Sequence, residues 1–413
     1  MRRVVVTGIG AVTPIGNNIK DYQKGLENGT SGANLITHFD ASLFKTKFAC
    51  EIKNFEFGEG LDAKEARRMD LFTQYAMVAA HEAIAQSGLK IEDLDPFKAG
   101  VIWGSGIGGL RSLEVEIQEY VKGNGIPRFN PFMIPKMISD IAAGHISIKY
   151  GFKGINYCTT SACASASHAI GNSLDYIRLG KADVIITGGS EAAVVAAGMG
   201  GFNAMKALSE NNDNFMTASR PFDKERDGFV LGEGAGALIL EEYEHAKRRG
   251  APILAEVMGS AMTADAYHIT APHPEGLSVI AVMKLALQDA GMNPSDINYI
   301  NVHGTSTPLG DIAEIKAILG VFGDDSYRLN ISSTKSMTGH LLGAAGAIEA
   351  ISGILGMNND FIPPTINHVN ADPEIDSRLN LTLNEAQHKK FDTFISNTFG
   401  FGGHNSSVIF RKI

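Results

Sequence analysis

Cysteine is scarce in this chain, three residues in 413 (Cys50, Cys158 and Cys163), and they form neither a Cys-x-x-Cys pair nor an even-numbered framework. That argues against structural zinc and against a disulfide-stapled secreted scaffold, and fits a reducing compartment. Long apolar runs are missing too: no stretch reaches the roughly 18 to 20 uninterrupted apolar residues that would span a bilayer. The opening Met1-Arg2-Arg3-Val4-Val5-Val6-Thr7-Gly8 reads as a strand entering a glycine turn, without the apolar core and cleavage site of a secretory signal. A cytoplasmic protein without membrane association is expected. Positive charge is in deficit, with 36 Lys and Arg against 45 Asp and Glu and a formal charge of -9. Nucleic-acid binders normally carry a basic surplus, so that class is excluded, and an acidic partner would need a local basic patch.

What is present is enough apolar residue, 44% with a mean hydropathy near zero, to bury a large core. Short Val/Ile-rich runs (Arg3 to Thr7, Gly100 to Trp103, Ala182 to Thr187, Ile297 to Val302, Leu329 to Ser332) alternate with Ala-rich helical stretches. This pattern predicts an α/β protein with sheets covered on both faces. The 46 glycines fall in turns and small-residue clusters, not in a linker. The polar loop from Ser209 to Arg226 reads as a surface or mouth loop. Two segments, Asn156 to Leu179 and Ile331 to Leu355, each run from a polar strand end into a helix of Ala, Gly and Ser suited to close contact at the centre of a structure. They fit a duplicated fold whose halves each bring one helix start to a shared centre; they also fit two ordinary Ala-rich helices.

Cys163 stands in Thr159-Thr160-Ser161-Ala162-Cys163 at the opening of the first small-residue helix. Orphan N-H groups and the positive end of the helix dipole there favour thiolate over thiol, and the same groups can form half of an oxyanion hole. A free cysteine is otherwise most often a small buried hydrophobe, the reading given to Cys50 and Cys158. His303, in Asn301-Val302-His303-Gly304-Thr305-Ser306-Thr307-Pro308, follows an apolar run and precedes a glycine turn, where α/β folds place ligand contacts. The hydroxyls of Thr305 and Thr307 suit a polar, extended ligand. His340 closes Thr334-Lys335-Ser336-Met337-Thr338-Gly339-His340 before the second small-residue helix, which favours a neutral imidazole. Lys335 is either a solvated lysine or a fixed positive charge beside the histidines. In Gly400-Phe401-Gly402-Gly403-His404, glycines let a backbone amide approach a ligand, so Phe401 reads as a gate or as part of a plain hairpin turn. Gly104-Ser105-Gly106-Ile107-Gly108-Gly109 satisfies GxGxxG after a strand, but no acidic strand end follows about 20 residues later, which disfavours a dinucleotide site.

The Thr-Thr-Ser-Ala-Cys, Asn-Val-His-Gly-Thr-Ser-Thr-Pro-x-Gly-Asp, Thr-Lys-Ser-x-x-Gly-His and Gly-Phe-Gly-Gly motifs, in this order, resemble the elongating β-ketoacyl-[acyl-carrier-protein] synthases. Gly228-Phe229-Val230-Leu231-Gly232-Glu233-Gly234-Ala235-Gly236 looks more like class II than class I. The likeness covers nearly the whole chain. One departure stands out: where many members have Thr after Gly-Phe-Gly-Gly, this chain has His404. A thiolase would carry a second catalytic cysteine near the C-terminus, an initiating synthase one His and one Asn, and a chain-length factor no nucleophile.

The resemblance implies a thiolase-like five-layer αβαβα fold from two duplicated halves, 1–250 with the cysteine and 251–413 with both histidines, as a homodimer. It implies decarboxylating condensation of malonyl-acyl-carrier protein with an acyl chain on Cys163 in fatty-acid elongation, with a polyketide-type ketosynthase as the alternative. His303 and His340 would stabilise the carbanion, Lys335 the local field, and Phe401 N-H the oxyanion. Thr305 and Thr307 would hold the phosphopantetheine arm, with Ile107 and Phe202 walling the acyl tunnel. Lys64, Arg67, Arg68 and Lys206 would dock the acidic carrier protein, unless they form an ordinary solvated face. No organic cofactor is implied. A structural hard cation near Asn301, Glu314, Glu349, Ser396 and Asn397 is implied; Glu314 and Glu349 could instead satisfy buried amides and Lys335.

Overall fold

In the computed structural model, which describes residues 1–413, ten strands form one mixed sheet. In chain order they are β1 (Val4–Val12), β2 (Ala99–Gly104), β3 (Asn156–Thr159), β4 (Val184–Glu191), β5 (Gly234–Glu242), β6 (Ala255–Ala264), β7 (Tyr299–Asn301), β8 (Asn330–Ser332), β9 (Thr393–Gly400) and β10 (His404–Arg411). Their spatial order is β8-β7-β9-β10-β6-β1-β5-β4-β2-β3. The first five strands therefore lie as β3-β2-β4-β5-β1 and the last five as β8-β7-β9-β10-β6, the same order shifted by five. Senses repeat as well: β1 and β5, like β6 and β10, are antiparallel, whereas β4, β2 and β3 run parallel, as do β9, β7 and β8. The two five-strand halves of the sheet are hydrogen-bonded edge to edge through two β1–β6 register pairs, Val5 with Glu256 and Val6 with Ala255.

Period-two alternation assigns each strand's side chains to separate cores. On β2, Val101 and Trp103 face an outer core with helices α1 (Leu71–Ser87) and α3 (Ile141–Tyr150), while Ile102 faces inward. On β10, Ile409 faces the other outer core, with α5 (Leu277–Ala290) and α6 (Pro308–Phe322), while Val408 and Phe410 face inward. Helix α2 (Leu110–Lys122) lies at the surface of the first half. Between the two five-strand halves of this sheet lie α4 (Ser165–Arg178) and α7 (Ala345–Asn358), packed on each other. Outer helices, sheet, paired central helices, sheet and outer helices make the five layers.

The Ala, Gly and Ser content of the central helices follows from this pairing. A Cβ on Gly346 would lie 2.0 Å from Ser167 Oγ, so only glycine lets α7 approach α4 this closely. Of the two readings of the small-residue helices, the structure bears out duplication. The expected strands all form, though Ile297 to Val302 shortens to β7 because the Ile297 N-H is spent closing the turn at Pro294–Asp296. No helix is long and apolar enough to cross a membrane.

A buried acid near the centre sets a pH response. Glu233 accepts hydrogen bonds from Ile52 N (3.0 Å) and Tyr75 Oη (3.1 Å), and burial pushes its carboxyl up to about 7. The folded state thus keeps a proton that the unfolded chain sheds above its ordinary value of 4.5. This contribution to stability is whole below that value and is lost as pH rises through 7. Glu233→Gln is expected to flatten part of that decline, by up to about 3 kcal/mol, in urea unfolding followed across this range.

Candidate active site

The turn before α4 presents Cys163. Ser165 Oγ donates to Ala162 O (2.7 Å) and accepts from Ser161 N (2.9 Å), closing a ring that holds Ala162 at φ 50°. Cys163 follows directly and is buried. From the other half come both imidazoles. His340 Nε2 lies 3.0 Å from Cys163 Sγ, and the sulfur and a ring nitrogen of each histidine lie within 4.8 Å of one another. The two rings stand edge to face with centroids 5.3 Å apart.

Each ring is set by its backbone. His303 N and Gly304 N donate to Glu314 on α6 at 2.9 and 2.8 Å, fixing the turn after β7. His340 N donates to Val230 O (2.7 Å) and Gly232 N donates to His340 O (3.0 Å), so a first-half segment clamps the second-half histidine. Phe229 lies edge to face against His340 and Phe399 against His303. Lys335, wholly buried, pairs with Glu349 on α7. Both partners are desolvated, so Lys335→Ala strands a buried carboxylate and is expected to cost about 3–5 kcal/mol. Urea unfolding measures this, and adding Glu349→Gln should restore much of the loss.

Electrostatics correct one expectation. Burial pushes the Cys163 thiol up to about 12; the Lys335 charge and the N-H groups of Phe401 and Cys163 pull it down by less. The resting sulfur is a thiol, because desolvation outweighs the helix terminus. Burial, then the Lys335 charge, holds both imidazoles well below their ordinary value. The neutral His340 was expected, but its cause differs: a 3-10 turn, Leu342–Ala344, separates it from α7, and desolvation does what the helix dipole was expected to do.

Phe401 follows β9 in the turn before β10, and its amide reaches the sulfur. Thr305 and Thr307 are half-buried with hydroxyls 3.0 Å apart. Phe202 packs on Phe229 and so joins the apolar cluster holding Cys163. Ile107 is 37% exposed in the single chain and is not part of that cluster. Lys64, Arg67, Arg68 and Lys206 are exposed; Arg68 lies over the Phe132 ring, and Lys206 directly precedes Ala207, which packs on the cluster holding Cys163.

The cation residues divide. Glu314 accepts from the His303 and Gly304 amides, one on each oxygen, the alternative role its position allowed. Asn397 Oδ1 accepts from Ser407 Oγ (2.7 Å). Asn301 Oδ1, Glu349 Oε2 and Ser396 Oγ are buried without protein partners, and Asn301 pairs with Ser396 across β7 and β9. Three orphaned oxygens fit a hard cation.

GxGxxG loops bind phosphate through free N-H groups, and here those groups are taken. Gly106, Ile107 and Gly108 donate to the buried Glu191 carboxylate at 2.8 to 3.2 Å. An internal anion fills the place of a dinucleotide pyrophosphate. Glu191, Phe229 and Phe399 were not singled out from the sequence. For Glu191 a signal existed, an acid between the apolar runs Val184–Ile186 and Ala192–Val195.

The duplicated sheet and the trio it assembles from two halves place the molecule among the condensing enzymes of the thiolase fold. Residues 1–246 match the β-ketoacyl synthase N-terminal domain and 254–369 the C-terminal domain, and the chain belongs to the β-ketoacyl synthase family. It is 48% identical over 411 residues to 3-oxoacyl-[acyl-carrier-protein] synthase 2 of Synechocystis, covering 100% of this chain and 98% of that protein. The solved ishigamide ketosynthase/chain length factor superposes with a TM-score of 0.93 at 35% identity, covering 100% of this chain and 99% of that one. A type II polyketide ketosynthase solved in complex with its acyl-carrier protein superposes at 0.90 and 33% identity, with the same coverage.

Proposed function

We propose that the protein elongates acyl chains by decarboxylating Claisen condensation on acyl carrier protein. The observation that carries this is the Sγ to Nε2 approach of 3.0 Å with the second imidazole alongside. In the first stage the Cys163 thiol proton passes to His340 Nε2 as sulfur attacks the acyl thioester carbon. The N-H groups of Cys163 and Phe401 hold the tetrahedral oxyanion. Its collapse breaks the bond to the carrier's sulfur, which takes the proton from His340.

In the second stage malonyl-carrier protein loses CO2, and the electron pair moves into an enolate whose oxygen accepts from His303 and His340. Acylation has removed the S-H, so the His340 tautomer that donates from Nε2 is favoured. The enolate carbon attacks the acyl-cysteine, the carbon–sulfur bond breaks, and Cys163 regains a proton from solvent. The neutral imidazoles support this scheme, since both steps need them uncharged. Burial, aided by the Lys335 charge, keeps them so, and Thr305 and Thr307 receive the pantetheine arm. Phe202 and Ile107 wall the acyl channel.

Exposed apolar side chains on α2 and after it, among them Val115, Val121, Phe129 and Ile134, and the unpaired edge of strand β3 support a homodimer. A hard cation on Asn301, Glu349 and Ser396 would screen the Glu349 charge. Division of the halves near residue 250 fits the turn after the short helix Tyr243–Arg248 that joins β5 to β6, and the cytoplasm fits three free cysteines.

The deciding test incubates the purified protein with malonyl-carrier protein and a series of acyl-carrier proteins and weighs the products. A 3-oxoacyl product two carbons longer supports fatty-acid elongation; poly-β-keto products support the alternative polyketide reading, to which the solved type II polyketide ketosynthase is related; no product defeats both. Reversing Lys64, Arg67 and Arg68 to Glu should raise KM for carrier protein by about tenfold or more, most strongly at low salt.

A further inference from the structure

Glu191 ends β4 with no exposure, and no basic side chain is among its hydrogen-bond partners. Oε2 accepts from Gly106 N (2.8 Å) and Gly343 N (3.0 Å); Oε1 accepts from Ile107 N (3.1 Å), Gly108 N (3.2 Å) and Ser105 Oγ (3.3 Å). Five donors make a buried carboxylate tolerable without a cation. They also come from both halves. Gly343 follows Leu342, a non-glycine residue at φ 46°, which itself lies two residues past His340. Left-handed backbone at leucine costs roughly 1–2 kcal/mol, and the Gly343 bond to Glu191 holds it there. On the other side, Gly106 packs against the Ala162 carbonyl, so that a Cβ there would lie 3.2 Å from it, directly before Cys163. A Cβ on Gly343 would lie 2.3 Å from Gly106 N, so the two turns are in backbone contact across the carboxylate.

We infer that Glu191 is a positioning residue that locks the His340 turn of one half against the Cys163 turn of the other, setting the sulfur-to-imidazole approach. This rests on the condensation reading above. Glu191 touches no reacting atom. Its oxygens hold the Gly343 backbone on the His340 side and, on the other, the 105–108 loop that packs against the Ala162 carbonyl, and a glutamine of equal shape would turn an NH2 toward donors and release one side.

The test is Glu191→Gln in the full chain. Its kcat for condensation is expected to fall about 30- to 100-fold, the effect of a misplacement near 1 Å, with KM for malonyl-carrier protein unchanged within about twofold. A second readout separates positioning from mere stability. Single-turnover acylation of Cys163 should be flat with pH from about 6.5 to 8.5 in the wild type and rise about tenfold per pH unit in the variant, because solvent and not His340 must then take the proton. Wild-type kcat, or a loss with a flat profile, overturns the proposal. An inactive wild type would instead sink the condensation reading. Should the variant fail to fold, amide exchange in the wild type decides: protection of Gly106, Ile107, Gly108 and Gly343 as one unit supports the lock. Exchange of the 106–108 amides about a hundredfold faster than Gly343 overturns it.

Discussion

Replacing Cys163 with alanine will abolish condensation, lowering kcat by at least about 10^4-fold, while the protein still releases CO2 from malonyl-carrier protein. The two outcomes separate because the stages use different atoms. Covalent capture needs the sulfur, whose proton His340 receives across 3.0 Å. Decarboxylation needs only donors to the enolate oxygen, and the alanine leaves both imidazoles on their own backbone anchors at Glu314 and at Val230–Gly232. Mass spectrometry of the acyl-enzyme and a CO2 assay on the same sample check this. Loss of both activities together would show that the sulfur also organises the imidazoles.

Replacing His303 with alanine is expected to give the reverse pattern: acyl transfer to Cys163 survives, and decarboxylation falls by about 10^2- to 10^3-fold, the usual loss for one donor at a developing oxyanion. His303 makes no hydrogen bond to the sulfur, whereas its ring stands beside His340 where a shared acceptor can sit. The same environment predicts the wild-type pH profile. Because burial and the Lys335 charge hold both imidazoles well below 6.5, they stay neutral through the ordinary histidine range and the decarboxylation rate should show no acid limb there. Folding stability carries the matching sign. Below that value the unfolded chain binds protons that the folded imidazoles refuse, so stability is lost as pH falls. A rate that halves near pH 6.5 would mean that at least one ring is solvated in the working enzyme.

Much of this centre was legible from residue order. Cys163 before a small-residue helix, His303 at a strand end before Gly304, and His340 before a second such helix are local signals, and each side chain lands at the shared centre. For Glu314 the sequence left two roles open, cation ligand or partner of buried amides, because a carboxylate's partners depend on which amides fold back onto it; here they are those of His303 and Gly304. Glu191 was passed over because its five donors lie as far as 152 positions away in the chain. The GxGxxG pattern could be set aside by spacing, but what fills its cradle could not be read from it.

The sequence by itself determined the alternation of strands and helices, the two small-residue helices and the chemical types at the centre, since these depend on near neighbours and on the periodicity of apolar residues. Only the tertiary structure decided the charge on the sulfur. That charge depends on how completely water is excluded and on where Lys335 and Glu191 come to lie, and desolvation overrides what a helix terminus alone would do.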